Sequence, residues 1–200
     1  MVIVPDPHPS IKTPQDYERS LAEVTLGTPE RLSGPVVLSD HDPAWAATFR
    51  EQAVRIRDAL GRRAHRIEHV GSTAVPDLVA KPIIDIVLEV PDSADEDDYV
   101  PELATHGYVL RIREPRWFEH RLLRCHRPHI NLHVFSANCP ETDRMLRFRD
   151  WLRANPADRD LYAAAKRDLA ARDWTYLQQY ADAKTEVITD IVTRAGSHGR

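Results

Sequence analysis

Cysteine is nearly absent: Cys125 and Cys139 are the only two in 200 residues. Two thiols build no disulfide framework and, by themselves, no zinc site, and a reducing compartment accommodates them most simply. No apolar run approaches the roughly 20 residues that span a bilayer, and the N-terminus shows no basic start followed by an apolar core. These absences predict a soluble cytoplasmic protein without a membrane partner. A strong excess of one charge is missing too, since 27 Lys and Arg against 31 Asp and Glu leave a formal net charge of -4. Such a chain does not capture nucleic acid by bulk electrostatics, so nucleic acid is not an expected partner, although a local basic groove stays open. Glycine signatures are lacking as well: there is no Walker loop and no Rossmann fingerprint. No Gly-x-Ser-x-Gly elbow occurs, and neither cysteine sits in a nucleophile motif.

What is present suffices for a core, because a chain of this length buries about two-thirds of its unfolded surface. Pro5, Pro7, Pro9 and Pro14 break regular structure at the start, after which Thr13-Pro14 caps a short helix near residues 17–25. Val36-Val37-Leu38 is a candidate buried strand. Asp42-Pro43 then opens a helix that runs to about Leu60, where Gly61 is a plausible C-cap. Residues 64–70 alternate like a strand, and 83–90 is the clearest strand in the chain. On it Ile84, Ile86, Leu88 and Val90 share one face, and Ile83, Asp85, Val87 and Glu89 the other. An acidic linker over 92–98 leads to a helix near 99–106 and a strand near 108–113. Two further strands, near 117–123 and 130–135, surround a basic turn. From Glu141 onward the pattern is helical, with breaks near Asn155-Pro156 and Asp173. The division expected is an arm and short helix over 1–34, an α+β core over 35–140 and a helical segment over 141–200 packed on it.

The chemistry concentrates in Glu68-His69-Val70-Gly71-Ser72-Thr73-Ala74-Val75-Pro76 and Lys81-Pro82-Ile83-Ile84-Asp85. Gly71 at a strand end permits a tight turn and a close backbone approach. Ser72 and Thr73 place hydroxyls beside backbone N–H groups, a suitable cradle for phosphate oxygens. Asp85, on the next strand, is placed to hold a divalent ion that bridges phosphates. Taken alone, Gly-Ser is a plain turn; coupled to a strand Asp across a short connection it gains meaning. Lys81 either meets a phosphate as a point charge or faces solvent. Asn131 and His133 share a face of the later strand, so His133 is either a hydrogen-bonded sheet histidine or a ligand beside Asp85. Imidazole with carboxylate suits Zn, Mn or Fe better than Mg. Glu68 and His69 point to opposite faces, and at most one of them faces Asp85. Arg121, Arg124, His126, Arg127 and His129 form a basic cluster that either binds phosphate, with Arg124 the chosen contact, or is a solvated turn.

The runs 69–76 and 80–86, with Asp42-Pro43-Ala44-Trp45 and Asn131-Leu132-His133-Val134-Phe135, resemble the signature of the GrpB-like family (UPF0157) of the nucleotidyltransferase superfamily. Phe148-Arg149-Asp150-Trp151-Leu152-Arg153, Tyr162-Ala163-Ala164-Ala165-Lys166 and Tyr180-Ala181-Asp182-Ala183-Lys184 extend the resemblance over about residues 35–195. It implies a nucleotidyltransferase-like mixed sheet flanked by helices, with a C-terminal helical annex. It also implies nucleotidyl transfer from a nucleoside triphosphate to a small acceptor, aided by a divalent metal (Mg, Mn or Zn). Joined to the reading of the residues above, this makes Asp85 the expected catalytic carboxylate, Asp85 and His133 the expected metal ligands, and Gly71, Ser72, Thr73, Lys81 and Arg124 the expected phosphate contacts. Two departures bear on this expectation. Val87 stands where active members of the superfamily carry a second carboxylate, and Asp77 stands where a Gly is expected. The family's domain also occurs fused to dephospho-CoA kinase, so the alternative is a non-catalytic nucleotide- or phosphate-binding domain with a degenerate metal site. Lys166 and Lys184 belong to the resemblance and are candidates to reach the cleft from the annex. Neither the nucleotide, the acceptor nor the oligomeric state is legible in the sequence.

Overall fold

The computed structural model describes residues 13–197; the arm prolines Pro5, Pro7 and Pro9 lie outside them. A five-stranded mixed sheet forms the middle layer, in the order β1-β2-β5-β4-β3. Its strands are β1 (Arg66–Val70), β2 (Ile84–Val90), β3 (Val109–Glu114), β4 (His120–His126) and β5 (His129–Ser136). β1 and β2 are antiparallel, β2 and β5 parallel, and β5-β4-β3 antiparallel. The register sets Asp85 directly beside Asn131 and Val87 beside His133.

Every residue of β2 is buried, the charged Asp85 and Glu89 included, because helices cover both faces of the sheet. On one face Ile84, Ile86, Leu88 and Val90 meet Leu132 and Val134. Trp45, Ile56 and Leu60 of α2 (Ala44–Leu60) and Leu103 of α3 (Val100–Thr105) cover them. Each such fully buried side chain contributes about 1.5–3 kcal/mol relative to exposure. On the other face Val70, Val87 and Phe135 meet Met145, Phe148 and Leu152 of α4 (Pro140–Ala154). Tyr162 of α5 (Pro156–Ala170) and Ile188 and Ile191 of α7 (Thr185–Ser197) complete that layer. α1 (Pro14–Val24) lies against β3 through the Thr25–Ile112 bridge, and its Tyr17 donates to Asp182 of α6 (Leu177–Asp182) at 2.7 Å.

Caps explain the boundaries. Thr13 Oγ1 accepts from the Asp16 N–H, Asp42 Oδ1 accepts from the Ala44 N–H at 2.8 Å, and Gly61 ends α2 at φ 55. Three expectations need correction. Val36-Val37-Leu38 forms no strand: the segment pairs only through the Ser39–Ala80 bridge, and Val37 remains 67% exposed. The strand expected from Trp117 begins at His120 instead, because Phe118 and Glu119 adopt φ 52 and 51, a left-handed turn no strand accommodates. The C-terminal helices also break a third time, between Asp182 and Thr185, and this break carries Lys184.

Candidate functional site

Asp85 lies near the start of β2, on the sheet face covered by the C-terminal helices, and is 3% exposed. Gly71 ends β1 beside it at φ 70, and a Cβ added there would meet Asp85 Oδ2 at 2.5 Å. Only glycine allows the turn and the carboxylate to occupy this space. Asn131 donates from Nδ2 to Asp85 Oδ1 at 2.9 Å, and His133 Nε2 stands 3.7 Å from the same oxygen. Burial opposes ionisation of this carboxyl, but its neighbours, His133 among them, outweigh it and hold Asp85 well below the usual carboxylate range.

The turn itself is clamped from α4. Arg153 donates through Nε and Nη2 to the Ala74 carbonyl at 3.0 and 2.8 Å. Arg149 donates to the His69 carbonyl at 2.9 Å and to Glu68 at 2.8 Å. Glu68 is thus the β1 residue on the Asp85 face, but an arginine holds it. His69, on the opposite face, stacks on Phe49 and shares a 3.0 Å hydrogen bond with Thr73 Oγ1. Burial pushes the His69 imidazole down to about 4, so it is neutral near pH 7. Thr73 Oγ1 also donates to the Ile83 carbonyl at 3.4 Å, so this hydroxyl ties the connection together rather than facing open space. Asp77 takes φ 62, the left-handed geometry expected where glycine is replaced by aspartate.

A cleft of about 380 Å³, its open mouth included, is lined by Ser72, Thr73, Lys81, Asp85, Asn131, Tyr162, Lys166, Tyr180 and Lys184. Three ammonium groups converge there from three parts of the chain. Lys166 donates to Ser72 Oγ at 3.0 Å and to the Val79 carbonyl, and its Nζ lies 4.7 Å from the centre of the Tyr162 ring. The Nζ of Lys184 lies 4.2 Å from the centre of the Tyr180 ring, and that of Lys81 lies 5.5 Å from the same centre. Lys166 and Lys184 are 2% and 3% exposed. Burial, helped by the neighbouring Lys81 charge, pushes Lys184 down to about 7. Burial likewise brings Lys81 to about 8 and Lys166 well below the usual lysine range. Tyr180 Oη is buried with no hydrogen-bond partner among the described residues, an orphaned donor at the cleft wall.

A polar row leads away from Asp85 across four adjacent strands. His133 on β5 contacts Asp85, and its Nδ1 lies 3.1 Å from His120 Nε2 on β4. His120 Nδ1 lies 2.7 Å from Glu114 Oε2 at the end of β3. Burial lowers His120 to about 4.

Of the expected phosphate contacts, Gly71, Ser72, Thr73 and Lys81 come together at Asp85. Arg124 does not line this cleft. Its Nη1 donates to Glu30 at 2.5 Å beside a separate groove of about 490 Å³ between α1, β3 and α6, which carries no comparable cluster of buried polar groups among the described residues. The rest of the basic cluster divides. Arg121 pairs with Glu96 at 2.6 Å, while His126, Arg127 and His129 are exposed. Sequence reasoning underweighted the lysines of the annex, and their signal was present. Tyr162 and Lys166 are four apart on one face of α5, and Tyr180 and Lys184 repeat the spacing across the end of α6. In the structure each amine lies over its own tyrosine.

The donor set does not fit a resident divalent ion. Among the described residues no group of three or more His, Cys, Asp or Glu side chains could hold one. Asp85 Oδ1 already accepts from Asn131, Oδ2 abuts Gly71, and the next residue on that face is Val87, fully buried in the apolar layer.

A profile of the family described as GrpB protein matches residues 35–194. The chain belongs to the GrpB family. It is 54% identical over 188 residues to a UPF0157 protein of Halalkalibacterium halodurans, covering 94% of this chain and 96% of that one. A UPF0157 protein of Streptomyces coelicolor is 44% identical over 175 residues, covering 88% and 91%. A crystal structure of GrpB from Enterococcus faecalis superposes with a TM-score of 0.68 at 29% identity, over 81% of this chain and 98% of that one. The chain also aligns at 31% identity with the dephospho-CoA kinase of Mycolicibacterium paratuberculosis, over 85% of its own length and 48% of the kinase's. The mixed sheet flanked by helices is therefore the GrpB fold, and no helix among the described residues is long and apolar enough to cross a membrane.

Proposed function

We propose that this GrpB-family protein binds a nucleoside triphosphate through its phosphates in the cleft between the Gly71-Ser72 turn and the C-terminal helices. The observation that carries this reading is the convergence of Lys81, Lys166 and Lys184 on Ser72 and Asp85. Amines removed from bulk water and directed at one small space are costly unless an anion meets them. Lysine serves as a point charge for phosphate where arginine would fix a planar fork. Ser72 adds a hydroxyl already oriented by Lys166. The test is a thermal-shift titration with ATP, GTP, CTP and UTP on wild type and Lys184→Met. Stabilisation by one or more nucleotides in wild type and none in the variant is the expected result. No shift at millimolar ligand would remove the nucleotide from consideration.

A second reading, nucleotidyl transfer to a small acceptor, is favoured by one specific feature. Asp85 is the cleft's carboxylate, and the His133-His120-Glu114 row connects it to the edge of the sheet, where the Glu114 side chain is 25% exposed. An acceptor hydroxyl that attacks the α-phosphate must lose one proton as pyrophosphate leaves. Asp85 is placed to accept that proton, and the imidazoles to carry it away. This reading places transfer on proton removal and on positioning by the lysines.

A further inference from the structure

We infer that this site neutralises a bound polyphosphate with its three lysines, so that the phosphates are held without a divalent ion. The inference rests on the phosphate-binding reading above and takes it one step further, to the species that carries the compensating charge. Three observations point the same way. The first is the sign of the cleft: its lining offers the amines of Lys81, Lys166 and Lys184 against the carboxylate of Asp85. A hard divalent ion seeks several oxygen anions and is repelled by ammonium groups. The second is the disposition of the would-be ligands. Asp85 is anchored on Asn131 and packed against Gly71, and Val87 is buried in the core. The Nε2 of His133 has no hydrogen-bond partner among the described residues and lies 3.7 Å from Asp85 Oδ1. It adds one imidazole to one carboxylate, where a hard divalent ion needs several oxygens. The third is the inventory of donors. Lys166 already lies on Ser72, and Tyr180 Oη, in a residue 1% exposed, has no hydrogen-bond partner among the described residues. A phosphate oxygen is the acceptor such a wall of donors lacks.

Asp85 then takes a different part from that of a metal anchor. It limits the mutual repulsion of the lysines before phosphate binds, and Asn131 and His133 hold it there. The two roles predict opposite consequences for one substitution. Where a metal bridges Asp85 and phosphate, removing the carboxylate charge weakens binding. Where lysines hold the phosphate, the same change removes a repulsion and leaves binding unchanged or tighter.

The experiment is isothermal titration of the full chain with inorganic tripolyphosphate and with ATP, each in EDTA and in excess Mg or Mn. Wild type, Asp85→Asn and Lys184→Met are compared. The expected results are binding in EDTA within about threefold of that with metal, binding by Asp85→Asn at least as tight as wild type, and a loss of about tenfold or more in Lys184→Met. Binding by wild type only when metal is present, with loss in Asp85→Asn, would overturn the inference and leave the nucleotide site standing. Absence of binding under every condition would overturn both. Because Asp85→Asn preserves shape and the acceptor for Asn131, it keeps the test decisive if Lys184→Met folds poorly.

Discussion

At the scale of single residues the site is a set of local conflicts that the fold resolves. Gly71 is the sharpest. Its φ is 70, and a Cβ at this position would lie 2.5 Å from Asp85 Oδ2. Gly71→Ala therefore combines left-handed strain, roughly 1–3 kcal/mol, with a collision against a buried carboxylate. Urea unfolding should show a loss of at least that size; an unchanged midpoint would mean the turn can relax away from Asp85. Lys184 presents the reverse case. Its ammonium is depressed to about 7 in the fold against 10.5 in an unfolded chain, so between those values the unfolded state binds more protons. Its burial therefore destabilises the fold fully below about pH 7, and the penalty fades as pH rises toward 10.5. Lys184→Met should be more stable than wild type near pH 7, with the difference shrinking toward about pH 10, as chemical denaturation at several pH values would measure. A polyanion in the cleft favours the protonated amine, so its affinity should fall as pH climbs through the same window. The legibility of these residues differed. The Gly71-Ser72 turn and Asp85 could be read because glycine at a strand end and a carboxylate on an otherwise apolar strand are local anomalies. Lys81 was readable beside the Asp85 strand, and Lys166 and Lys184 through resemblance and their spacing from Tyr162 and Tyr180; their convergence was not, since the break between α6 and α7 that aims Lys184 has no Pro or Gly to announce it.

At the scale of elements, α4 acts as a clamp on the Gly71-Ser72 turn. Arg153 holds the Ala74 carbonyl with two nitrogens and Arg149 holds the His69 carbonyl, so the turn is gripped on both sides of Gly71. Arg153→Met preserves the stem that packs there but removes both hydrogen bonds. Amide exchange should accelerate across residues 72–75 with little change in β2, and nucleotide affinity should fall. Unchanged exchange would show that the turn is held by its own backbone hydrogen bonds, from the Ala74 N–H to the Gly71 carbonyl and from the Val75 N–H to the Ser72 carbonyl. The row from Asp85 to Glu114 is the second device built at this scale, one side chain from each of β2, β5, β4 and β3. Glu114→Gln keeps the size of the side chain but removes the charge at its outer end. On the transfer reading it should slow turnover and shift its pH profile while nucleotide affinity stays near wild type; an unaltered profile would reduce the row to a hydrogen-bonded support for the sheet. The strands themselves were legible from period-two alternation, most plainly 84–90. Their partners were not, because nothing in β5 states that it lies parallel to β2. The false strand at 36–38 shows the limit of an apolar run as a signal: Val36 and Leu38 are drawn to Leu169 and Tyr180 rather than to a sheet edge, and Val37 faces solvent.

At the scale of the whole molecule, the sheet divides two functions between its faces. One is an apolar layer closed by α2 and α3. The other mixes core with site: Val87 and Phe135 pack under the C-terminal helices, while Asp85 and Asn131, one pleat away, face the lysines that those helices supply. Cleft and annex are therefore one structure, and the chain cannot lose its C-terminal helices without losing two of its three amines. The central claim is that phosphates sit among those amines, and a crystal structure grown with a non-hydrolysable nucleoside triphosphate tests it most directly. The account predicts phosphate density within hydrogen-bond reach of Lys81, Lys166, Lys184 and Ser72. Phosphates found instead in the groove beside Arg124, or a nucleotide that leaves the lysine cleft empty, would contradict it.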